Sequence, residues 1–273
     1  MGILNITEDS FSGDGLFKEA NSLETARNLA RRFIDSGVDI LDIGGESTRP
    51  GSQPVDETTE IERVIPVIQQ LSDEFPDVLI SIDTYKASVA DEAIKAGADM
   101  INDVWGLRAD SQLAMVASKH QVPIILMHNR SKPANAEIQA NLGGRYISME
   151  YDDLLLDVQH ELMESVRLAL DAGIQKEKII LDPGIGFGKT VEQNLELLDR
   201  LSELRQLGFP ILLGPSRKSF IGYTLDLPVN QRVEGTAAAI SVGITRGADI
   251  VRVHDVEYMA RVVRMTDAIV RRA

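Results

Sequence analysis

Three side chains suited to recognising a flat polar ring stand where short apolar runs of the sequence end. They are Asp83, Asn102 and Asp182. A carboxylate accepts paired hydrogen bonds from a guanidine-like N–H edge, and an amide both donates and accepts. Together they suit a planar aminopyrimidinone ring. Two alternatives stay open at this point: a metal site with Asp and His ligands, and capping of the following helix by Asp83.

Positively charged side chains gather after similar runs, although the chain has a net charge of −14. Such a gathering in an acidic protein predicts an anionic ligand, such as a pyrophosphate or a carboxylate. Some of these cations, Arg217 first, are expected to form ordinary ion pairs instead. A helix beginning near Ser216 is expected to add backbone N–H groups to the attraction. The cations are Arg49 in the glycine- and hydroxyl-rich segment 44–51, Arg217 with Lys218, and Arg252 with His254.

The segment 184–190, Gly-Ile-Gly-Phe-Gly-Lys-Thr, looks like a phosphate-binding loop. The nucleoside-triphosphate pattern needs a glycine where Pro183 stands, and the dinucleotide pattern needs one where Lys189 stands. Neither pattern is therefore met. We interpret the segment as a loop whose glycines let the backbone approach a flat ligand, with Phe187 as an apolar wall.

The elements that position these residues follow one repeated pattern of a short apolar run, a loop and an amphipathic stretch. Continuous Ile/Leu/Val runs are typical of buried parallel strands, and their alternation with helices predicts a parallel sheet. Eight such units favour closure into a barrel, whose active site lies at the carboxyl ends of the strands. The eight runs are 3–6, 39–44, 78–83, 99–102, 123–128, 178–182, 210–214 and 249–254. Their polar closing residues are Asn5, Asp42, Asp83, Asn102, His128, Asp182, Ser216 with Lys218, and Arg252 with His254.

The predicted fold class is therefore α/β, as a single (β/α)8 TIM barrel that spans residues 1–273 as one domain. Helical spacing of apolar residues predicts helices over 147–172, 191–206, 231–246 and 256–272. The longest irregular stretch, 129–145, is expected to be a mobile loop.

Composition narrows the possible partners. The chain has no cysteine, which excludes disulfides, thiolate metal sites and a cysteine nucleophile. Its negative charge disfavours nucleic acid and anionic membranes. No apolar run is long enough to cross a membrane and no leader precedes Asn5, so a soluble, cytoplasmic protein is expected.

Nine segments, in order along nearly the whole chain, resemble motifs of the dihydropteroate synthases. Segment 42–51 reads Asp-Ile-Gly-Gly-Glu-Ser-Thr-Arg-Pro-Gly, and segment 181–190 reads Leu-Asp-Pro-Gly-Ile-Gly-Phe-Gly-Lys-Thr. The others are 1–12, 81–86, 101–106, 126–129, 216–222, 232–236 and 251–255. The chain departs from the family pattern at Glu8, at Gly13-Asp14 and at Pro215, and it begins almost at the first strand.

The resemblance implies an enzyme of folate synthesis that joins 4-aminobenzoate to 6-hydroxymethyl-7,8-dihydropterin diphosphate, releasing 7,8-dihydropteroate and pyrophosphate. It implies a dissociative reaction through a pterin cation, Mg²⁺ as the metal, a homodimer and competition by sulfonamides. Segments 5–15 and 44–52 are expected to close over the substrates.

The resemblance also assigns roles to individual residues. The pterin would be held by Asp83, Asn102, Asp182 and Lys218, with Met127 and Phe187 near its faces. The diphosphate would be held by Asn5, Arg252 and His254, with Asn5 touching Mg²⁺. The aminobenzoate pocket would include Phe11, Thr48, Arg49, Pro50 and Ser219. The residues expected to act directly in the reaction are Asn5, Asp83, Lys218, Arg252 and His254.

Two rival functions are compatible with a pterin-binding barrel. A pterin-dependent methyltransferase domain shares the Asp/Asn/Asp anchor, but it has no need of the 216–218 segment or the Ser-Thr-Arg-Pro-Gly loop. A non-catalytic pterin-binding protein is expected to have lost Asn5, Arg49, Lys218, Arg252 or His254, all of which are present.

Overall fold

The chain is described by a computed structural model over residues 1–7, 22–48, 52–139, 141–147 and 150–271. In these ranges, eight parallel strands alternate with helices, and a short antiparallel hairpin is inserted after the fifth strand. The strands are β1 Gly2–Asn5, β2 Ile40–Gly44, β3 Leu79–Asp83, β4 Met100–Asp103, β5 Ile124–Met127, β6 Ala136–Gln139, β7 Gly143–Tyr146, β8 Ile179–Asp182, β9 Leu212–Leu213 and β10 Ile250–Val251.

The parallel strands close into a barrel. Six of them form one sheet in the order β1-β2-β3-β4-β5-β8, and β9 pairs with β10. Parallel bridges between Leu181 and Ile211 and between Gly2 and Val253 join the two sheets at both edges. Backbone hydrogen bonds of 3.0 Å from Ile3 N to Val253 O and 2.9 Å from Leu181 N to Pro210 O complete the junctions. The predicted (β/α)8 barrel is confirmed.

The helices cover the outside of this barrel, and helices are present within all four ranges that the apolar spacing predicts. Between them and the outer faces of the strands lies the main hydrophobic core, in which Leu4, Leu41, Ile82 and Ile101 are fully or almost fully buried. The helices are α1 Ser22–Asp35, α2 Glu57–Glu74, α3 Ala87–Lys95, α4 Leu113–His120, α5 Leu154–Asp171, α6 Val191–Asp199, α7 Leu201–Leu204, α8 Ser219–Leu225, α9 Val233–Thr245 and α10 Val256–Val270. Among these described helices, none combines the length and the apolarity that a membrane crossing requires.

Two predictions around β5 are wrong. The helix expected from residue 147 begins at Leu154, because the Asp153 carboxylate accepts hydrogen bonds from the backbone N–H groups of Leu155 (3.0 Å) and Leu156 (3.1 Å) and so caps the first turn. The stretch 129–145 is not irregular, because β6 and β7 pair there as an antiparallel hairpin. Its alternation is too weak in the sequence to stand out from a loop.

Candidate active site at the barrel mouth

The last residues of β1, β2 and β3 lie level with Asn102 of β4. Asn5 is the register partner of Gly44, Gly44 is the partner of Asp83, and Asp83 is the partner of Asn102. Because the carboxyl ends of parallel strands meet at the same rim, these residues form a continuous arc of the mouth. The predicted convergence of Asn5, Asp83 and Asn102 is therefore present in the structure.

Side-chain alternation explains why these polar groups face the interior. A small cluster of buried apolar residues is separate from the main core, and it includes Ile40, Met100 and Leu212 with Ile180 and Ile250 packed against it. Side chains two residues apart in a strand share one face. The residues two positions further on are therefore stacked above this cluster: Asp42, Asn102, Gly214, Asp182 and Arg252.

Arg252 lies at the centre of a network that spans the mouth. Its Nε donates to Asp42 Oδ2 at 2.5 Å, and its Nη2 donates to Asp83 Oδ2 at 2.5 Å. Asn102 Nδ2 donates to Asp42 Oδ2 at 3.2 Å. Asp42 is completely buried and joins both groups. It was predicted as a polar closing residue of the rim, but no individual role was assigned to it.

Burial and charge act against each other in this network. Burial raises the pKa of Asp83, Arg252 opposes that rise, and the nearby Asp42 carboxylate adds to it. For Arg252, burial alone would lower the pKa, but Asp42 and Asp83 raise it above its ordinary value. The guanidinium therefore stays charged.

Capping by Asp83 is excluded, because the N-cap of α3 is Lys86, which makes no side-chain capping bond.

Asp182 forms the opposite side of the mouth. Its carboxylate is 5% exposed, and Oδ1 accepts a hydrogen bond of 2.7 Å from the backbone N–H of Gly184. Burial raises the pKa of Asp182, while the neighbouring Lys218 is the largest influence that lowers it. Met127, the last residue of β5, is the register partner of Asp182 and is 2% exposed. Met127, which the resemblance assigns to a face of the pterin, thus lies beside Asp182.

Lys218 and Phe187, both of which the family resemblance assigns to the pterin, lie together. Lys218 Nζ lies 4.5 Å from the centre of the Phe187 ring and donates a hydrogen bond to the Ile185 carbonyl. Burial lowers the pKa of Lys218 to about 8, and Asp182 opposes that change. This amine can therefore be held next to a ligand in either charged or neutral form near neutral pH.

His254 is oriented by the segment that follows β9. Its backbone N–H donates to Ser216 Oγ at 3.1 Å, and its Nδ1 lies 3.1 Å from the same oxygen. Arg217 instead pairs with Asp255, with Nε 2.8 Å from Oδ2 and Nη2 2.5 Å from Oδ1. Arg217 is therefore an ordinary ion pair, as expected. The helix predicted near Ser216 begins three residues later, at Ser219, a half-buried residue.

The segment after β2 is fixed by a buried lysine. Lys86 Nζ forms ion pairs with Glu46 and, at 2.5 Å, with Glu60 Oε2, and it donates to the Val55 carbonyl at 2.7 Å. Glu46 precedes the half-buried Thr48 in the chain and Val55 follows it, so Lys86 contacts the chain on both sides of Thr48. Phe11, Arg49 and Pro50, like most of the segment 5–15, lie outside the described residues.

Two further groups near the mouth were not predicted as a pair. Lys189 Nζ, 2% exposed, lies 2.9 Å from Nδ1 of His128, which is 1% exposed. His128 follows β5 and Lys189 lies 61 residues further along the chain, in the glycine-rich segment after β8, so local spacing contains no signal of their contact.

The donor set at the mouth determines what kind of metal it can hold. The described ranges contain no group of three or more His, Asp or Glu side chains arranged as metal ligands. Asn5 offers an amide oxygen at the rim and is half-buried. Mg²⁺ commonly takes one or two protein oxygens and completes its shell with substrate phosphates and water. The residues present thus fit a magnesium ion that is shared with a phosphorylated substrate.

Comparison with known proteins agrees with this geometry. Residues 1–254 match the model of the family described as pterin binding enzyme. The chain is 50% identical over 273 residues to the dihydropteroate synthase of Clostridium beijerinckii, covering all of this chain and 94% of the relative. It is 51% identical over 272 residues to that of Bacillus subtilis, covering 100% and 88%.

Solved structures give the same result. The dihydropteroate synthase from Clostridium difficile, determined in the presence of pteroic acid, has a TM-score of 0.88 and 49% identity, covering 100% of this chain and 96% of that chain. The Yersinia pestis dihydropteroate synthase in complex with a sulfonamide drug has a TM-score of 0.90 and 41% identity, covering 100% and 94%. This chain belongs to the family of pterin binding enzymes.

Proposed function

We propose that this protein is a dihydropteroate synthase: it joins 6-hydroxymethyl-7,8-dihydropterin diphosphate to 4-aminobenzoate and releases 7,8-dihydropteroate and pyrophosphate. The observation that carries the proposal is the meeting of Asp83, Asn102, Asp182 and Lys218 at one barrel mouth, in a chain whose full-length relatives are dihydropteroate synthases. A methyltransferase domain is less well supported, because the matching relatives cover the whole chain and carry the synthase name.

The ring of the pterin substrate is held by the buried polar groups. Asp182 accepts hydrogen bonds from the guanidine-like edge of the ring, because an ionised carboxylate is an acceptor only. Asn102 both donates and accepts at the neighbouring edge, and Lys218 donates to a ring acceptor. Met127 and Phe187 supply apolar contacts to the faces of the ring.

The diphosphate is held at the rim formed by β1 and β10. Arg252 is a fixed cation, because its carboxylate partners keep it charged. His254 is oriented by Ser216 and donates to a phosphate oxygen, while Asn5 would be the protein ligand of a magnesium ion. When bound, Mg²⁺ supplies a positive charge that offsets the charge of the departing pyrophosphate.

The reaction begins with loss of pyrophosphate from the exocyclic methylene carbon. The electron-rich dihydropterin delocalises the cation that results, and the Asp83 carboxylate stabilises it. The neutral amine of 4-aminobenzoate then attacks the methylene carbon and loses a proton as the new C–N bond forms. The family resemblance assigns the binding of 4-aminobenzoate to Thr48 and Ser219, together with Phe11, Arg49 and Pro50.

A direct assay tests the proposal. The purified protein is supplied with the dihydropterin diphosphate, 4-aminobenzoate and Mg²⁺, and the release of pyrophosphate and dihydropteroate is measured. We expect equal amounts of both products and competition between 4-aminobenzoate and a sulfonamide. Folded protein that releases neither product under these conditions would overturn the proposal.

We also propose that the protein acts as a homodimer. The support is a set of exposed apolar side chains on α9 and α10, namely Val242, Tyr258, Met265 and Ile269, with exposures of 39% to 63%. Such side chains are unfavourable in contact with water, so a second copy of the chain would stabilise them. Light scattering of the purified protein distinguishes a dimer from a monomer.

A further inference from the structure

Two lysines hold the glycine-rich segment 184–188 by its backbone. Lys218 donates to the carbonyl of Ile185. Lys189 donates to the carbonyls of Gly184 and Phe187, each at 3.1 Å. Every second residue of the segment is a glycine, and each has a positive φ angle: +71° at Gly184, +83° at Gly186 and +60° at Gly188. Glycine adopts this backbone conformation without steric strain. The backbone of the segment is therefore held by the ammonium groups of Lys189 and Lys218. Of these two lysines, the proposed function assigns a role only to Lys218.

The surroundings of Lys189 match an ammonium group. An ammonium has three N–H donors and no acceptor. The two carbonyls take two of these donors, and His128 Nδ1, 2.9 Å away, takes the third. Every donor of a charged Lys189 is thus satisfied inside the protein, although the side chain is only 2% exposed. A neutral amine would leave one of these three acceptors without a donor.

His128 is held in the form that this arrangement requires. Burial lowers the pKa of His128 to about 3, and the Lys189 charge contributes to that change. The imidazole is therefore neutral at physiological pH. Its Nδ1 accepts from Lys189, so its proton is on Nε2, which lies 3.2 Å from Glu161 Oε2. Glu161 on α5 is itself held by Arg130, whose Nε donates to Oε1 at 2.6 Å.

The position of the segment matters for the proposed pterin site. The Gly184 N–H orients Asp182, and the Phe187 ring lies against Lys218. The carbonyls of the same two residues are the ones that Lys189 holds. A shift of the segment would therefore move a carboxylate anchor and an apolar wall of the ring pocket together.

We infer that Lys189 is a positioning residue for the pterin substrate: its ammonium group, seated on His128, fixes the Gly184 and Phe187 carbonyls and so aligns Asp182 and Phe187. Lys189 does not touch the reacting atoms in this inference. The inference rests on the proposed function, and it assigns a role to a buried cation, an imidazole and Glu161 that the reaction itself does not use.

The test compares substrate affinities after Lys189→Met, which keeps the length of the side chain and removes its donors. Loss of two hydrogen bonds from a charged donor is expected to weaken pterin binding about tenfold or more. The KM for 4-aminobenzoate should change by less than about threefold, because its pocket does not include segment 184–188. The matched control is Lys119→Met, a lysine on α4 whose side chain is 63% exposed, and it should leave both KM values unchanged.

A pH series adds a readout that a purely structural role would not move. Burial lowers the pKa of Lys189 to about 7, while Asp182 and Glu161 raise it and Lys218 and Arg130 lower it. These neighbours and His128 are the same in the wild type and the variant. As pH rises through about 7, wild-type Lys189 loses its proton and one of its three N–H donors. The ratio of the pterin KM of Lys189→Met to that of the wild type should therefore decrease, while staying above one because the neutral amine keeps two donors.

A second pair of variants decides the question if Lys189→Met does not fold. His128→Asn places an amide oxygen near the position of Nδ1 and keeps an acceptor for Lys189, whereas His128→Leu keeps the bulk without the acceptor. We expect His128→Leu to weaken pterin binding about tenfold and His128→Asn to restore most of the affinity.

Equal changes in the two KM values, or equal pterin affinities for His128→Leu and His128→Asn, would overturn the inference. Failure of the proposed function is read from the wild type instead, because wild-type protein that forms no product would overturn both. An active wild type whose pterin affinity is unchanged by Lys189→Met would overturn this inference alone.

Discussion

Individual residues at the mouth combine burial with charge, and this combination sets their substitution behaviour. Within the described ranges, no cation forms an ion pair with the buried Asp182, whereas Arg252 bridges two carboxylates. Removing the charge of Asp182 relieves a desolvation cost, but removing that of Arg252 leaves two carboxylates without their cation. Substitutions of Asp182 and of Arg252 should both weaken substrate binding, but they should have opposite effects on the stability of the folded protein.

The first prediction concerns Asp182→Asn. The amide can still accept from Gly184 N–H, but it cannot accept paired hydrogen bonds from the guanidine-like edge of the pterin. We expect pterin affinity to fall by about 100-fold, or about 3 kcal/mol, while the unfolding temperature stays the same or rises. Calorimetric titration with the pterin substrate and thermal unfolding measure the two effects. Parallel losses of affinity and of thermal stability would remove Asp182 from the pterin anchor.

The second prediction concerns Arg252→Gln. The free energy of unfolding should fall by about 3 kcal/mol at neutral pH, because Asp42 and Asp83 lose their buried partner. Affinity for the diphosphate-bearing pterin should fall much more than affinity for the pterin without diphosphate. Similar losses for both ligands would contradict a role at the diphosphate.

The pH dependence of the Arg252→Gln variant has a definite sign. Burial already raises the pKa of Asp83 above its value in the unfolded chain, and loss of the arginine raises it further. An acid with a raised folded-state pKa stabilises the protein at low pH, and this contribution is lost as pH rises through that pKa. The variant should therefore be closer in stability to the wild type at pH 5 than at pH 8, as measured by urea unfolding.

At the scale of elements, one arginine connects the β6–β7 hairpin to the segment that carries Lys218. Arg232 is 2% exposed, and its guanidinium donates to the carbonyls of Leu227 (3.1 Å), Arg217 (3.0 Å) and Leu142 (2.9 Å). The hairpin is further held to α8, where Tyr223 donates to the Gly143 carbonyl at 3.2 Å. The hairpin and α8 are thus one packed unit beside the mouth.

The third prediction follows from this unit. Arg232→Met should lower the free energy of unfolding by about 2 kcal/mol, since three carbonyls lose a donor while the cost of burying a cation is removed. Hydrogen exchange of residues 141–147 should increase more than that of the strands. Arg246→Met, a 46% exposed arginine paired with Asp199, is the control and should cost less than about 1 kcal/mol. Unchanged exchange in the hairpin would contradict the connection.

At the scale of the whole molecule, closure of the barrel depends on tight contact where β10 meets β1. A Cβ atom added at Gly2 would lie 2.8 Å from Phe33 Cδ2 on α1 and 2.9 Å from Val256 Cγ2 on α10. A side chain there would push both helices away from the junction. If the barrel unfolds as one cooperative domain, a side chain at Gly2 should also destabilise the side of the barrel opposite this junction.

The fourth prediction is that Gly2→Val destabilises the protein by about 2 kcal/mol through overpacking. The single tryptophan, Trp105, follows β4, well away from the junction, and reports on that side by its fluorescence. The midpoints measured by Trp105 fluorescence and by far-ultraviolet circular dichroism should fall together. Leu79→Val, at a 49% exposed strand position, is the control and should change neither midpoint much. Separate midpoints in Gly2→Val would show that the barrel unfolds in parts.

Much of the fold and of the candidate site follows from local patterns. Continuous apolar runs mark buried parallel strands, and residues two positions apart share a face, so the positions of Asp83, Asn102 and Asp182 could be predicted from the sequence. The hairpin could not, because all of its strand residues except Tyr146 are half-buried or exposed, and it depends on contacts with α8, such as Arg145 over the Tyr223 ring at 4.5 Å. Propensity alone is weak where tertiary contacts stabilise a strand.

By itself, the sequence determined that eight strands alternate with helices, that their polar ends share one rim, and that an acidic chain gathers cations there. Only the tertiary structure decided which of these groups meet. Arg252 contacts Asp42 from 210 residues away, and Lys189 contacts His128 from 61 residues away. The reason is physical: local spacing fixes which face a side chain occupies, whereas closure and register of the barrel fix its partner across the mouth.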